Sequence, residues 1–390
     1  MNLDHNAGGR VRREVIDAVT TWLRADHANP SSVHAAGRRA REAVEAARDA
    51  VAALVGARAS EVVFTSGGTE ANNLAIRGIA QPGTHVVSTS IEHASILRPL
   101  DAARAAGCTV TLVAPAPDGT IAAHQVSEAL RDETRLVSIG WANGEIGTVQ
   151  PLAEIAATIR AHGDASTAAP RVDGDVAPAT RRGQPRRVLL HSDAVQAAGA
   201  CAVDLRQVDV DLLTLSGHKL GALPGVGALV IRDAAAIVPQ ILGGPHERQR
   251  RAGTENVPGI VGFGVAARLA RAERDGRDAH LRQVRAALLG ALAQHASPLV
   301  VHGMRDGGLA GTLSVAFPGV RADALVIALD LQGIAAATGP ACAAGAAEPS
   351  HVLRAIGCDD ETARATLRLS FGTDLTLADA ERAAHVIARC

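Results

Sequence analysis

Val210-Asp211-Leu212-Leu213-Thr214-Leu215-Ser216-Gly217-His218-Lys219 runs from an apolar strand straight into a lysine, and Gly221-Ala222-Leu223-Pro224-Gly225-Val226-Gly227 follows. A lysine directly after a buried strand is unusual, because burying an ammonium is costly. Desolvation lowers its pKa, and a neutral amine can form a Schiff base. Ser216 and His218 stand beside Lys219 as donors for an anion such as a phosphate. Taken alone, these residues fit a surface lysine at a strand end equally well. The difference lies upstream, where His191-Ser192-Asp193-Ala194-Val195-Gln196 closes another apolar strand. An acid near a Schiff-base lysine is what pyridoxal phosphate requires, since a carboxylate keeps the pyridinium nitrogen protonated and the ring an electron sink.

Outward from this stretch, strand-like and helix-like segments alternate. Glu61–Thr65, Thr84–Thr89, Thr109–Val113, Arg135–Ile139, Val188–His191, Asp211–Leu215 and Gly227–Ile231 read as short buried strands. Amphipathic segments such as Glu70–Ala80 and Leu152–Ala161 lie between them. That alternation predicts an α/β domain with a mostly parallel sheet. Ligands in such sheets gather at the carboxyl ends of strands. Ser66–Thr69, His93, Asn143, Asp193 and Ser216–Lys219 all fall just after strand-like runs. Beyond about Val257 the pattern changes to two helical stretches, Gly259–Arg274 and His280–His295, and then a mixed region. Its segments are Thr312–Phe317, Ala322–Leu331, Ser350–Ile356 and Thr366–Phe371, read as a smaller α+β domain. Gly163–Arg187, rich in Ala, Gly, Pro, Asp and Arg, reads as an inserted loop.

The chain has 390 residues, enough for two domains and a large core. Its net charge of -1 gives no electrostatic case for nucleic acid or an anionic membrane. Aromatics make up 2% and tyrosine is absent, so small side chains must fill the core. Cys108, Cys201, Cys342, Cys358 and Cys390 are scattered and lack CxxC spacing. That, with their odd number, argues against a disulfide framework or zinc site and fits reduced thiols in a cytoplasm. No signal peptide and no membrane-spanning apolar run is expected.

Further motifs stand in order along the chain. They are Asn29-Pro30-Ser31-Ser32-Val33-His34, Phe64-Thr65-Ser66-Gly67-Gly68-Thr69-Glu70-Ala71-Asn72-Asn73, Glu92-His93 and Asn143-Gly144-Glu145-Ile146-Gly147. Asp193-x-x-Gln196, Ser216-Gly217-His218-Lys219, Arg251-Ala252-Gly253-Thr254-Glu255-Asn256, Ala341-Cys342 and Glu348-Pro349-Ser350 follow. In this order the chain resembles the cysteine desulfurases, pyridoxal-phosphate enzymes of the aminotransferase class V group, from Leu3-Asp4 to the last helix.

The resemblance implies a type I pyridoxal-phosphate-dependent transferase fold. A large cofactor-binding domain, 13–256, would carry a mostly parallel seven-stranded sheet, and 1–12 with 257–390 a small domain bearing the nucleophile loop. It implies L-cysteine as substrate, alanine as product and delivery of sulfur to an acceptor protein. Lys219 would be the Schiff-base lysine and proton shuttle, Asp193 the partner of the pyridine nitrogen, and Gln196 a contact to the phenolic oxygen. His93 would stack on the ring, and Arg368 would hold the substrate carboxylate, bidentate as arginine does. Gly68-Thr69 opens a helix after a strand, where free N–H groups make a phosphate cradle that Ser216 and His218 complete. Thr254 resembles a phosphate ligand donated across a homodimer with shared sites, and it also fits a helix N-cap. Cys342, in a loop of small residues with no core to build, is by resemblance the nucleophile that carries a persulfide.

Two departures stand out. The family commonly has two asparagines before Glu-Ile-Gly; here the pair is Asn143-Gly144, so a cofactor contact is lost or shifts to Asn143. Thr338-Gly339-Pro340-Ala341-Cys342 carries a proline where the family has serine. A selenocysteine lyase, or another class V aminotransferase or lyase, would use much of the same set, and the sequence leaves those alternatives open.

Overall fold

The apolar runs come together as one sheet. The structure, a computed structural model, describes residues 1–25, 28–167, 187–232, 235–339 and 348–390. The strands are β1 Val62–Thr65, β2 His85–Thr89, β3 Thr109–Val113, β4 Thr134–Ser138, β5 Leu189–Asp193, β6 Leu212–Ser216 and β7 Gly227–Ile231. Their order is β1-β7-β6-β5-β4-β2-β3. Only β7 runs against its neighbours β1 and β6; the other pairings are parallel. Each strand lies within two residues of its expected position. Except at the edge strand β3, these strands are buried on both faces, which is why they read as continuous apolar runs rather than alternating ones.

Polar residues inside the sheet are satisfied across it. Buried His85 bridges Thr134 at 2.8 Å and Thr111 at 2.9 Å, and buried His191 bridges Ser138 at 2.9 Å and Thr214 at 3.0 Å. These are structural histidines. Burial pushes His191 down to about 3, so it is neutral at physiological pH.

The second sheet is small and antiparallel: β8 Val300–His302, β9 Thr312–Ala316 and β10 Thr366–Ser370, with β9 in the middle. Sequence reading missed β8, whose three residues are too short to show a period. The two expected helices after Val257 are one, Val257–His295, of 39 residues. A Cβ at Gly276, in its middle, would meet nothing within 4 Å, and nothing there breaks the helix. Its first half packs Ile260, Phe263 and Ala267 into the core around the large sheet. Its second half packs Leu281, Val284, Leu288 and Leu292 into a separate core around the small sheet.

The N-terminal segment joins the small sheet. Leu3 donates to the Ala335 carbonyl at 2.8 Å, His5 donates to Ser370 at 3.0 Å, and Ser370 donates back to Leu3 at 2.7 Å. This lays residues 3–6 beside β10. The segment read as an inserted loop begins in helix, since Leu152–Thr167 is helical; 168–186 lie outside the described residues. Among the described residues no helix is long and apolar enough to cross a membrane.

Candidate active site

Lys219 sits in the short turn Gly217–Leu220 directly after β6, which Gly221 ends at φ 85°. Its amine donates to the carbonyls of Asn6 and Ala7, the latter at 3.0 Å. Asp193 ends β5, the neighbour of β6, and pairs in register with Thr214. Two donors orient its carboxylate: the Asn72 amide at 2.7 Å and the Val195 N–H at 2.9 Å. Burial pushes Asp193 upward, while these two bonds, His93 and Lys219 favour its charged form.

The network continues from Asn72, which is fully buried and also donates to Ser95 Oγ at 2.8 Å. Ser95 then meets His93 twice: its hydroxyl lies 2.7 Å from His93 Nδ1, and its backbone N–H donates to that nitrogen at 3.1 Å. A nitrogen that accepts from a backbone N–H holds no proton of its own, so neutral His93 carries its proton on Nε2. Burial pushes His93 down, which favours that neutral form. Just before it, buried Glu92 accepts from Thr89 Oγ1 at 2.7 Å and from Gly140 N at 3.1 Å. Burial pushes this acid up to about 7.

At the expected phosphate cradle a helix starts directly after β1. The helix Gly68–Ile79 has no side-chain cap at Gly67. A Cβ on Gly68 would stand 2.8 Å from Val195 Cγ2, so only glycine lets this helix start so close to the ends of β5 and β6. Ser216 Oγ and His218 Nδ1 are 2.8 Å apart. Burial, with Lys219 adjacent, pushes His218 down to about 4. The N–H groups of Gly68 and Thr69, the Ser216–His218 pair, the Asp193 carboxylate and the Lys219 amine are what pyridoxal phosphate needs in phosphate, ring nitrogen and aldehyde partners. The residues fit that cofactor.

Other expected residues fall differently. Asn143 holds its own turn: Oδ1 accepts from Glu145 N at 2.8 Å and Ile146 N at 3.1 Å, and Nδ2 donates to the Ile91 carbonyl at 3.0 Å. Gly144 has a reason of its own, since a Cβ there would come within 2.8 Å of Gln196 Cγ. Gln196 donates to the Asn6 carbonyl at 3.2 Å, the oxygen that also receives Lys219. Thr254 is exposed and is not the helix N-cap. That place belongs to Asn256, which accepts from Gly259 N at 3.2 Å, because the helix starts two residues later than a Thr254 cap needs. Arg251 ties this stretch to the cradle helix through Glu70 at 2.9 Å. Arg368 is buried in β10 and pairs with Asp4 at 2.6 Å. Cys342 and Pro340 lie outside the described residues.

Sequence reading assigned no role to Asn6, Asn72, Ser95 or Asp4. Asn72 carried a signal, standing one helical turn beyond Gly68 and so on the same face. Asn6 and Asp4 carried none, because their partners lie 213 and 364 residues away.

The aminotransferase class-V family matches this chain over residues 1–178 and 171–382. "Putative cysteine desulfurase IscS 1" of Bacillus subtilis (strain 168) is 37% identical over 391 residues, covering 99% of this chain and 97% of that protein. The solved "NIFS-LIKE PROTEIN" superposes with a TM-score of 0.88 at 29% identity, over 100% of this chain and 98% of that one. "SspA in complex with cysteine" superposes at 0.79 with 32% identity, over 95% and 99%. The chain belongs to the aminotransferase class-V family. Within that family it stands among the cysteine desulfurases, a pyridoxal-phosphate-dependent group.

Proposed function

We propose that the chain takes sulfur from L-cysteine, releases L-alanine and holds the sulfur as a persulfide on Cys342 for an acceptor protein, with pyridoxal 5'-phosphate on Lys219. The observation that carries this reading is the pair of adjacent strand ends: Asp193, aligned by Asn72 and Val195, beside the strand that delivers Lys219. When bound, the cofactor supplies an aldehyde for the substrate amine and a ring that takes up the electron pair left at Cα. Asp193 stabilises positive charge at the ring nitrogen. Neutral Lys219 takes the Cα proton, and the Asn6 and Ala7 carbonyls receive the resulting ammonium. His93, its Nδ1 occupied by Ser95, keeps Nε2 as a hydrogen-bond donor and by resemblance stacks on the ring. Arg368 binds the substrate carboxylate. The Cys342 thiolate forms a bond to the substrate sulfur as the carbon–sulfur bond breaks, and Cβ gains a proton to give alanine.

The same proposal makes the chain a homodimer in which Thr254 reaches the partner's phosphate. Thr254 is exposed, and Val33 at 88%, Leu242 at 82% and Val238 at 49% are large apolar side chains left open to solvent. It also divides the chain into 13–256 and 1–12 with 257–390; the two separate cores bridged by Val257–His295 support that division. It places the reaction in the cytoplasm, where Cys108, Cys201, Cys358 and Cys390, all free here, stay reduced. No contact with nucleic acid or membrane is needed.

The test is to supply L-cysteine and selenocysteine to the same preparation and measure alanine, sulfide and selenide. Alanine with persulfide formation from cysteine is the expected result. Alanine from selenocysteine alone would replace this reading with a selenocysteine lyase.

A further inference from the structure

Glu145 is a buried acid to which the proposed reaction gives no task. It is 5% exposed, and neither carboxylate oxygen closes a well-formed hydrogen bond among the described residues; the Ser350 side chain lies beside the carboxyl as a weak donor. The carboxyl lies against Gly339, where a Cβ would stand 3.6 Å from Oε1 and 3.9 Å from Ser350 Cβ. Arg368 faces it from β10, and its Nε is also buried without a partner, although Nη2 is tied to Asp4 at 2.6 Å. A buried carboxylate near a guanidinium ordinarily closes an ion pair with it. Here both groups keep unused hydrogen-bonding capacity, and burial pushes Glu145 up to about 7 against the opposing pull of Ser350 and Arg368. An acid that keeps its proton, beside a guanidinium with donors to spare, suits a guest carboxylate that accepts from both.

We infer that Glu145 forms one wall of the substrate-carboxylate subsite and gives a hydrogen bond to the carboxylate that Arg368 binds. This rests on the reading of Arg368 given above. The charged and titratable groups around Glu145 are Arg368 on β10, Asp4 behind it on the N-terminal segment, and the Cys358 thiol beyond the helix His351–Ala355. When Glu145 ionises it loses the donor, repels the guest and competes for Arg368. Affinity for an amino acid therefore falls as pH rises through about 7.

The test is a titration of the cofactor-loaded protein with L-alanine, followed by cofactor absorbance from pH 6 to 8.5, with ethylamine as the ligand lacking a carboxylate. Comparing Glu145→Gln with the parent at each pH cancels the titration of the ligand amine. The two should bind L-alanine within about twofold at pH 6, and the parent should be about tenfold weaker at pH 8.5. Ethylamine should show no such divergence. Glu145→Leu, which has no donor, should weaken L-alanine several-fold at pH 6 and leave ethylamine unchanged. A pH-independent ratio for L-alanine, or the same divergence for ethylamine, overturns the inference. Arg368→Gln separates the two readings. If it loses L-alanine affinity while the Glu145→Gln ratio stays flat, only the Glu145 assignment fails. If it binds L-alanine as the parent does, the Arg368 reading falls, and this inference with it.

Discussion

Asn72 donates to Asp193 Oδ2 at 2.7 Å across 121 residues of sequence, and the same amide donates to Ser95 at 2.8 Å. One buried asparagine thus links the acid expected at the pyridine nitrogen to the histidine expected at the ring face, since Ser95 fixes the His93 tautomer. A donor to a charged acceptor is worth about 1.5–3 kcal/mol. Asn72→Ala should weaken pyridoxal-phosphate retention by roughly ten- to a hundredfold, measured by absorbance after dialysis. Retention at the parent level would show that Asp193 needs no orienting partner.

Lys219→Ala should abolish the absorbance of the lysine-linked cofactor and lower turnover by several orders of magnitude. The chain's sequence contains no lysine other than Lys219, so the variant should bind the cofactor only as the free aldehyde. An unchanged aldimine band in Lys219→Ala would place the linkage on another amine, the N-terminal one, and overturn the assignment.

Cys342→Ala should keep the cofactor and still bind cysteine, but lose persulfide formation. Mass spectrometry after a cysteine pulse should place one extra sulfur on Cys342 of the parent. Burial pushes the thiols of Cys201, up to about 11, and Cys358 away from thiolate, so neither is a ready substitute. Label on either of them would reassign the nucleophile.

The Asp4–Arg368 pair joins the N-terminal segment to β10. Asp4→Asn leaves the guanidinium without its counter-charge in a buried position. Stability in urea unfolding should fall by about 1–3 kcal/mol. An unchanged unfolding midpoint would show that the pair holds no stability.

Glu92 predicts a pH dependence with a definite sign. Its folded pKa, about 7, lies above the ordinary value of 4.5, so the native state binds more protons between those pH values. Its contribution is full below 4.5 and is lost as pH rises to about 7, on the order of 3 kcal/mol in all. Glu92→Gln, which cannot ionise, should therefore gain on the parent in urea stability between pH 4.5 and pH 8. A constant difference across that range contradicts the shift.

The sheet was legible in the sequence because its strands, the edge strand β3 apart, are buried on both faces and register as apolar runs bounded by turn residues. Gly68, Asp193, Ser216, His218 and Lys219 were legible for a related reason: a parallel sheet delivers its ligands at strand ends, and strand ends can be counted along a chain. The helix Val257–His295 was read as two, since Asp275-Gly276 weakens the local pattern while packing on both sides carries the helix through.

What the sequence by itself determined was the α/β class, the family, and which polar residues stand at the ends of β5 and β6. Each follows from local period or from residues a few positions apart. Only the tertiary structure decided that Asn6 receives Lys219 and Gln196, that Asn72 orients Asp193, that Gly144 makes room for Gln196, and that Glu145 lies near Arg368 without an ion pair. These are contacts between segments far apart in the chain. Burial there sets both the partners and the protonation state, and no local pattern encodes how deeply a side chain will be buried.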